Sequence, residues 1–404
     1  MLICFSHTTR LTSSPLMGED KGEGDPVLER PLTPTLSREG RGKALSTRRS
    51  TSRIVHRIAA SSIQRVPGPN LRGWFWIALS SWLFLSVNGE IFAAGAPSQP
   101  TSIFASYGGE LGYQAPIWVA HELKLFAKQG IRTELVRIAG GSRSMQTLLS
   151  NSIQVSQSAG VAPIQGTLAG GDFVIIATST NRPTVSILAH PKTVNKPQDL
   201  AGKTVGLVGR GEMNEFFFLN ALKKWGVDPK RVTFIAIPGS QPRLTAVAAG
   251  TIDATILAPP FTFEAEKYHL KLLADFTSGS DPFPQSGLVV RKEYLRANRA
   301  TVKRLLMAYA EAIHVIRTDP ERTLPIMKKY MRIEDGGIAR RSYDYYAKLF
   351  SQPPLTEEKG IGLVLEFLAT QPGFASAKNA RAADFFDNSL LIELQKERYF
   401  SRFE

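Results

Sequence analysis

The sequence has one cysteine in 404 residues, Cys4, and it stands almost at the start. Everything downstream of it therefore has no disulfide, no thiolate nucleophile and no cysteine metal site. The histidines beyond residue 96 (His121, His190, His269 and His314) are far apart and show no HExxH or His/Asp/Glu ligand spacing. No GxSxG nucleophile elbow occurs. Metal-dependent and nucleophilic catalysis thus lack their usual residue patterns. Charge of one sign is in excess, 49 Lys/Arg against 35 Asp/Glu, yet the cations are scattered, as in Arg291-Lys292-Glu293 and Lys328-Lys329. With no aromatic-interleaved basic stripe and no zinc-finger spacing, nucleic acid is not an expected partner.

Residues 11–65 lack apolar periodicity and are rich in Ser, Thr, Arg, Pro and Gly. Such a composition buries too little apolar surface to offset chain entropy. Leu11-Thr12-Ser13-Ser14-Pro15-Leu16 is echoed by Leu32-Thr33-Pro34-Thr35-Leu36-Ser37, which resembles a translated intergenic repeat more than a domain. Residues 1–65 are expected to be a spurious or disordered leader. After Arg72 comes the apolar run Gly73 to Val87, then Ala93-Ala94-Gly95-Ala96. A cation, a run shorter than the ~20 residues of a spanning helix, and small residues together predict a signal peptide over 66–95, cut after Gly95. No cysteine stands at that point to take a lipid. Residues 1–96 carry 12 of the Lys/Arg and 7 of the Asp/Glu, so the net charge falls from +14 to +9 once they are removed.

From Thr101 the chain alternates short apolar runs with amphipathic stretches, punctuated by Gly and Pro, the pattern of an α/β fold. Strands are expected at Ile103–Ser106, Arg132–Ile138, Ile153–Ser158 and Phe173–Ala177. A helix runs from Pro116 through Phe126 to a stop at Gly130, and others over Ser142–Leu149 and Val161–Ala169. The pattern restarts with strands at Thr204–Val208, Val232–Ile237 and Ile252–Leu257, separated by helices over Met213–Trp225 and Arg243–Ala249. Leu288-Val289-Val290 leads into a helical tail whose first helix places Val302, Leu305, Leu306, Tyr309, Ile313 and Ile316 on one face. Gly141-Ser142, a helix and Ser152-Ile153-Gln154-Val155 are echoed by Gly239-Ser240, a helix and Thr251-Ile252-Asp253-Ala254. Two copies of one loop–helix–strand unit predict two similar lobes: 96–187 opens lobe 1, 188–286 forms lobe 2, and 287–404 returns to lobe 1 and adds C-terminal helices. Two crossings make a hinge with a central cleft.

Several stretches, in this order and spacing, resemble the periplasmic binding proteins for sulfonates, taurine and nitrate and their relatives that bind thiamine-pyrimidine precursors. They are Ala115-Pro116-Ile117-Trp118-Val119-Ala120-His121-Glu122, Leu125 to Ile131, Gly140-Gly141-Ser142, Asp199 to Gly206, Trp225 to Pro229, and Ala249 to Ala254. The resemblance implies a type II-like two-lobe fold with mixed five-stranded sheets, no cofactor, and a monomer that delivers a small solute to an ABC permease and ATPase.

In that fold, ligands meet loops after strands and the first amides of helices, where unpaired N–H groups and the helix dipole favour an anion. Gly141 and Ser142 begin one helix, and Ser240 begins its counterpart. Ser158-Ala159-Gly160 ends a strand and starts a helix, and Met213-Asn214 opens the long helix of lobe 2. Helix capping without a ligand is the alternative role for these residues. Tyr107, Tyr113 and Gln114 stand in a glycine-rich loop that no Gly-Lys-Ser/Thr follows, so it is not a P-loop; the tyrosines can stack on a ligand or pack on a helix. Arg182 offers a bidentate cation or a solvated surface charge. Pro259 can wall the cleft or end strand pairing. A small organic anion is the expected solute, with a pyrimidine precursor or a zwitterion also open. Two other functions compete: an enzyme like thiamine-pyrimidine synthase, which looks to need a cysteine cluster, and a solute-sensing periplasmic receptor.

Overall fold

The computed structural model describes residues 101–403, so the expected leader and signal segment lie outside the described residues. Lobe 1 begins with strand β1 (Thr101–Tyr107), helices α1 (Ala115–Glu122) and α2 (Leu125–Lys128), and β2 (Ile131–Arg137). It continues through α3 (Gly141–Leu149), β3 (Val155–Ser158), α4 (Val161–Leu168) and β4 (Phe173–Thr180). Sequence periodicity runs one helix from Pro116 to Gly130, but the structure breaks it at Lys124, which is left-handed with φ 55°. The break lets both Leu125 and Phe126 turn into the core against the later helix of the tail.

Lobe 2 contains β5 (Ser186–Ala189), β6 (Thr204–Leu207), α5 (Met213–Trp225), β7 (Thr233–Ala236), α6 (Ser240–Ala248), β8 (Ala254–Leu257), α7 (Phe261–Glu264) and β9 (Lys271–Asp275). The chain then returns through β10 (Ser286–Arg291) to α8 (Lys292–Ala297), α9 (Arg299–Thr318), α10 (Pro320–Met331), α11 (Gly336–Ala347), α12 (Glu358–Leu368) and α13 (Ser389–Lys396). The α9 face read from the sequence is buried along its length and packs on α1.

The two sheets have the same plan, β2-β1-β3-β10-β4 and β7-β6-β8-β5-β9. In each, three parallel strands are followed by a strand that has just crossed from the other lobe and runs antiparallel to both neighbours. The fold is therefore α/β with two mixed five-stranded sheets, linked by the β4–β5 and β9–β10 crossings. Gly287, on β10, lies so near β4 that a Cβ there would collide with the carbonyl oxygen of Ala177, so this crossing strand needs glycine. Beyond β4, the segment Phe385–Asp387 hydrogen-bonds to Ile175 through both N–H and C=O and covers that sheet edge.

The internal repeat is sharper in three dimensions than in sequence. Gly140 caps α3 with φ 93° and ψ 130°, and Gly239 caps α6 with φ 93° and ψ 142°. Aligning these caps pairs Gly141 with Ser240 and Ser144 with Arg243. Gln154 and Asp253 match too: each takes a backbone N–H on its side-chain oxygen, from Phe104 and Thr204 respectively, and each returns its own N–H to that residue's carbonyl.

Candidate functional site

Strand ends and helix starts from both lobes enclose a cavity of about 90 Å³. Lobe 1 contributes the loop after β1, the start of α3 and the end of β3; lobe 2 contributes the starts of α5 and α6. This is where an α/β fold gathers ligand groups. A larger groove, about 1330 Å³, lies elsewhere, between α5 and α12. Its floor is a phenylalanine cluster and its rim mixes Lys223, Lys224 and Lys230 with Asp228, Asp281 and Glu366. The interlobe cavity is the better candidate because two of its lining residues, Gln114 and Arg243, carry buried polar atoms without partners.

Gln157, on β3, organises the lobe 1 side. Its Nε2 donates to the Tyr113 carbonyl at 3.0 Å and to Ser286 Oγ at 2.9 Å, and its Oε1 accepts from Ile117 N–H at 3.2 Å. One side chain thus fixes the β1 loop, the start of α1 and the crossing strand. Tyr113 and Gln114 are held at the cavity, and the Gln114 Oε1 is buried with no partner. Burial raises the Tyr113 phenol above its ordinary pKa, which Arg243 opposes and Glu212 and Glu110 reinforce. The phenol therefore stands within the fields of a cation and two carboxylates.

On the lobe 2 side, Arg243 is 1% exposed. It donates to the carbonyls of Ile237 (3.0 Å) and Gly239 (2.9 Å) and to Ser240 Oγ (3.3 Å), while its Nε has no partner. Burial lowers its pKa to about 10, so it is still a cation at neutral pH. Among the described residues it has no carboxylate ion-paired to it, and it stands at the start of α6. A buried, uncompensated charge is costly unless something answers it.

The α3 amides are already engaged. Glu212, just before α5, reaches across from lobe 2 and accepts from Gly141 N–H (Oε2, 2.8 Å) and Ser142 N–H (Oε1, 3.1 Å). Gly141 is required by the packing of α3 on α4, not by Glu212: a Cβ there would stand 2.6 Å from Ala162 Cβ, but 3.4 Å from Glu212 Oε2. Glu110 pairs with Arg137 at 2.7 Å.

Of the residues named from sequence, Tyr113, Gln114, Gly141, Ser158, Ala159, Met213, Asn214 and Ser240 line the cavity. Asn214 spends an Nδ2 hydrogen on the Ile256 carbonyl at 3.3 Å. Ser142 reaches the site only through its amide. Four residues lie elsewhere. Tyr107 packs edge-on against Trp118 and Tyr330. Gly160 gives its N–H to the Pro284 carbonyl. Arg182 bonds the Asn181 carbonyl and pairs with Glu357 at 3.2 Å, half exposed. Pro259 accepts from Tyr346 OH at 2.7 Å. Sequence reasoning missed Glu110, Arg137, Ser144, Gln157, Glu212 and Arg243. The repeat held the signal for Arg243, since it stands four residues beyond the cap glycine of the second copy.

The comparisons agree with this architecture. A protein of Brachyspira hyodysenteriae (strain ATCC 49526 / WA1), provisionally named an ABC transporter periplasmic binding protein, is 28% identical over 130 residues, 32% of this chain. The match spans 37% of that relative's length. A solved structure from Bordetella bronchiseptica RB50 superposes with a TM-score of 0.67 at 20% identity, covering 76% of this chain and 98% of that one. The alkanesulfonate-binding protein SsuA from Xanthomonas axonopodis pv. citri, bound to MOPS, gives 0.59 at 17%, covering 72% and 99%. The fold is thus that of the periplasmic binding proteins. Residues 112–323, more than half of the chain, match the family model described as NMT1/THI5 like, and the chain belongs to the NMT1/THI5-like family.

Proposed function

We propose that the chain is an exported solute-binding protein that carries a small organic molecule with an acidic group to an ABC importer, acting in the periplasm as a monomer. The observation that carries this reading is Arg243, buried at the start of α6 with an unpartnered Nε and lining a cavity built by both lobes. A sulfonate or carboxylate placed there would take charge-assisted bonds from the guanidinium and the helix start. The relatives support the transport setting: one is named for an ABC transporter and another binds alkanesulfonates. The partners would be a permease and an ATPase, and the reading is of binding without conversion.

The test is mass spectrometry of small molecules released when the purified protein is denatured, followed by thermal shifts with the compounds found and with a sulfonate, nitrate and aminopyrimidine panel. A true ligand at a hundredfold excess over Kd adds about 2.7 kcal/mol to stability. Release of nothing, together with no shift across the panel, would overturn the reading.

A further inference from the structure

One helix of the tail touches both lobes. α11 is anchored in lobe 1 by a buried side that includes Ile338, Ala339 and Tyr343, and Tyr343 OH donates to the Ile316 carbonyl of α9 at 2.8 Å. In lobe 2, α7 and the 3-10 turn after it (Ala265–Tyr268) bury Phe261 and Ala265 in their own core. That leaves Phe263, Glu266 and Lys267, at i, i+3 and i+4, together on the other side. Arg341 of α11 meets two of them. Its Nη1 and Nη2 donate to the two Glu266 oxygens at 3.0 and 2.7 Å, and its guanidinium lies 4.3 Å from the Phe263 ring centroid. Lys267 Nζ donates to Asp335 Oδ2 at 3.2 Å, while Oδ1 of that carboxylate caps α11 by accepting from Gly337 and Ile338.

The helix runs on the cavity side of the molecule. Tyr346, further along it, donates to the Pro259 carbonyl at 2.7 Å, and a Cβ on Gly112 would stand 2.2 Å from its ring. Pro259 follows the end of β8 and Gly112 the end of β1, and Tyr113, edge-on to Tyr346, lines the cavity itself. Parting the lobes there separates Arg341 from Glu266 and Lys267 from Asp335. All four side chains are about half exposed, and pairs so placed add little to a folding constant. The opening of two lobes about a hinge is a finer balance, in which a factor of a few decides which form prevails. We propose that α11 is a strap: its charge pairs with lobe 2 hold the cleft shut, and salt, by screening them, lets it open. The strap governs how the cleft opens and not what it holds.

Fluorophores on Arg132→Cys and Thr233→Cys, exposed on the outer strands β2 and β7, report the distance between the lobes in a Cys4→Ser background. Single-molecule energy transfer is read with no solute added. Between about 0.01 M and about 1 M salt the screening length falls from about 30 Å to about 3 Å. Across that range the open fraction is expected to rise by about threefold to tenfold. Arg341→Gln and Lys267→Gln should each open the protein at low salt by about threefold and flatten its response to salt. The reversed pair, Glu266→Arg with Arg341→Glu, should restore most of the closed form, which a mere loss of packing would not allow. Thermal melts confirm that each variant is folded. A distance that ignores salt, folded single variants that keep the parent distribution, or a reversed pair no more closed than Arg341→Gln would overturn the inference. The released-molecule experiment needs none of these variants, so the solute-binding reading and the strap fail separately.

Discussion

Arg243 and Arg182 are both arginines close to helix starts, yet their surroundings give them different physical roles. Arg243 is enclosed, holds two carbonyls of its own lobe and keeps Nε for something else. Arg182 is half in solvent and satisfied by Glu357, a pairing of a kind worth little to stability. Arg243→Gln should therefore weaken binding of an acidic ligand by roughly tenfold to a hundredfold, the loss expected for a charged hydrogen bond. Arg182→Gln should leave the titration unchanged. Ser142→Ala should also be silent, because the alanine keeps the amide that Glu212 uses, whereas Ser240→Ala removes a hydroxyl at the cavity and should lower affinity. Calorimetric titration of the four variants checks all of this, and an Arg243→Gln protein that binds like the parent would dismiss Arg243 as the anchor. Sequence pointed to the glycine–serine helix starts but not to these distinctions. Whether an arginine is enclosed depends on loops from both lobes, which no local pattern carries.

At the scale of elements, most strands and helices were legible because their periods and punctuation agree. Gly226 ends α5 in the left-handed conformation, as its position predicts. The failures have physical causes. β9 has no apolar alternation to betray it, because it is a sheet-edge strand with Leu272 54% exposed. The repeat was misaligned by one residue at its helix starts, because Gly140-Gly141-Ser142 invites matching Gly-Ser with Gly239-Ser240, whereas backbone dihedrals pair the cap glycines. With the corrected register Arg243 takes the place of Ser144, and each donates to its own cap carbonyl. One copy thus holds a hydroxyl where the other holds a cation. The crossing strand makes its own demand: Gly287→Ala forces a methyl against the backbone of β4, which should cost about 1–3 kcal/mol. Denaturant melts would show it, and a variant as stable as the parent would mean that the strands part more easily than their packing implies.

At the scale of the whole molecule, acid should act on stability through His121 before it reaches the carboxylates. Its Nδ1 lies 2.8 Å from Thr133 Oγ1, and burial lowers its pKa below the ordinary 6.5, against the pull of Glu122. The unfolded chain then takes up this proton at a higher pH than the folded one. The contribution is complete above about pH 6.5 and is lost as the pH falls towards the folded value. Chemical melts at pH 7.5 and 5.5 should show wild type losing more stability than His121→Gln; equal losses would remove His121 as the cause. Glu122, held below its ordinary pKa by Lys329 and Tyr330 despite burial, acts in the same direction but at lower pH.

The sheet order also has a consequence in time. Lobe 2 is built from one unbroken stretch, β5 to β9. Lobe 1 is not: the place between β3 and β4 waits for β10, and the outer edge of β4 waits for Phe385–Asp387. A chain delivered from its N-terminus, whether by a ribosome or through a translocation pore, must therefore hold the first half of lobe 1 unfinished while lobe 2 closes. Pulse-labelled hydrogen exchange during refolding should find β6 and β8 amides protected before those of β3 and β4, because their partners are nearer in sequence. The C-terminal segment acts last, as the clasp that shuts a sheet begun nearly three hundred residues earlier.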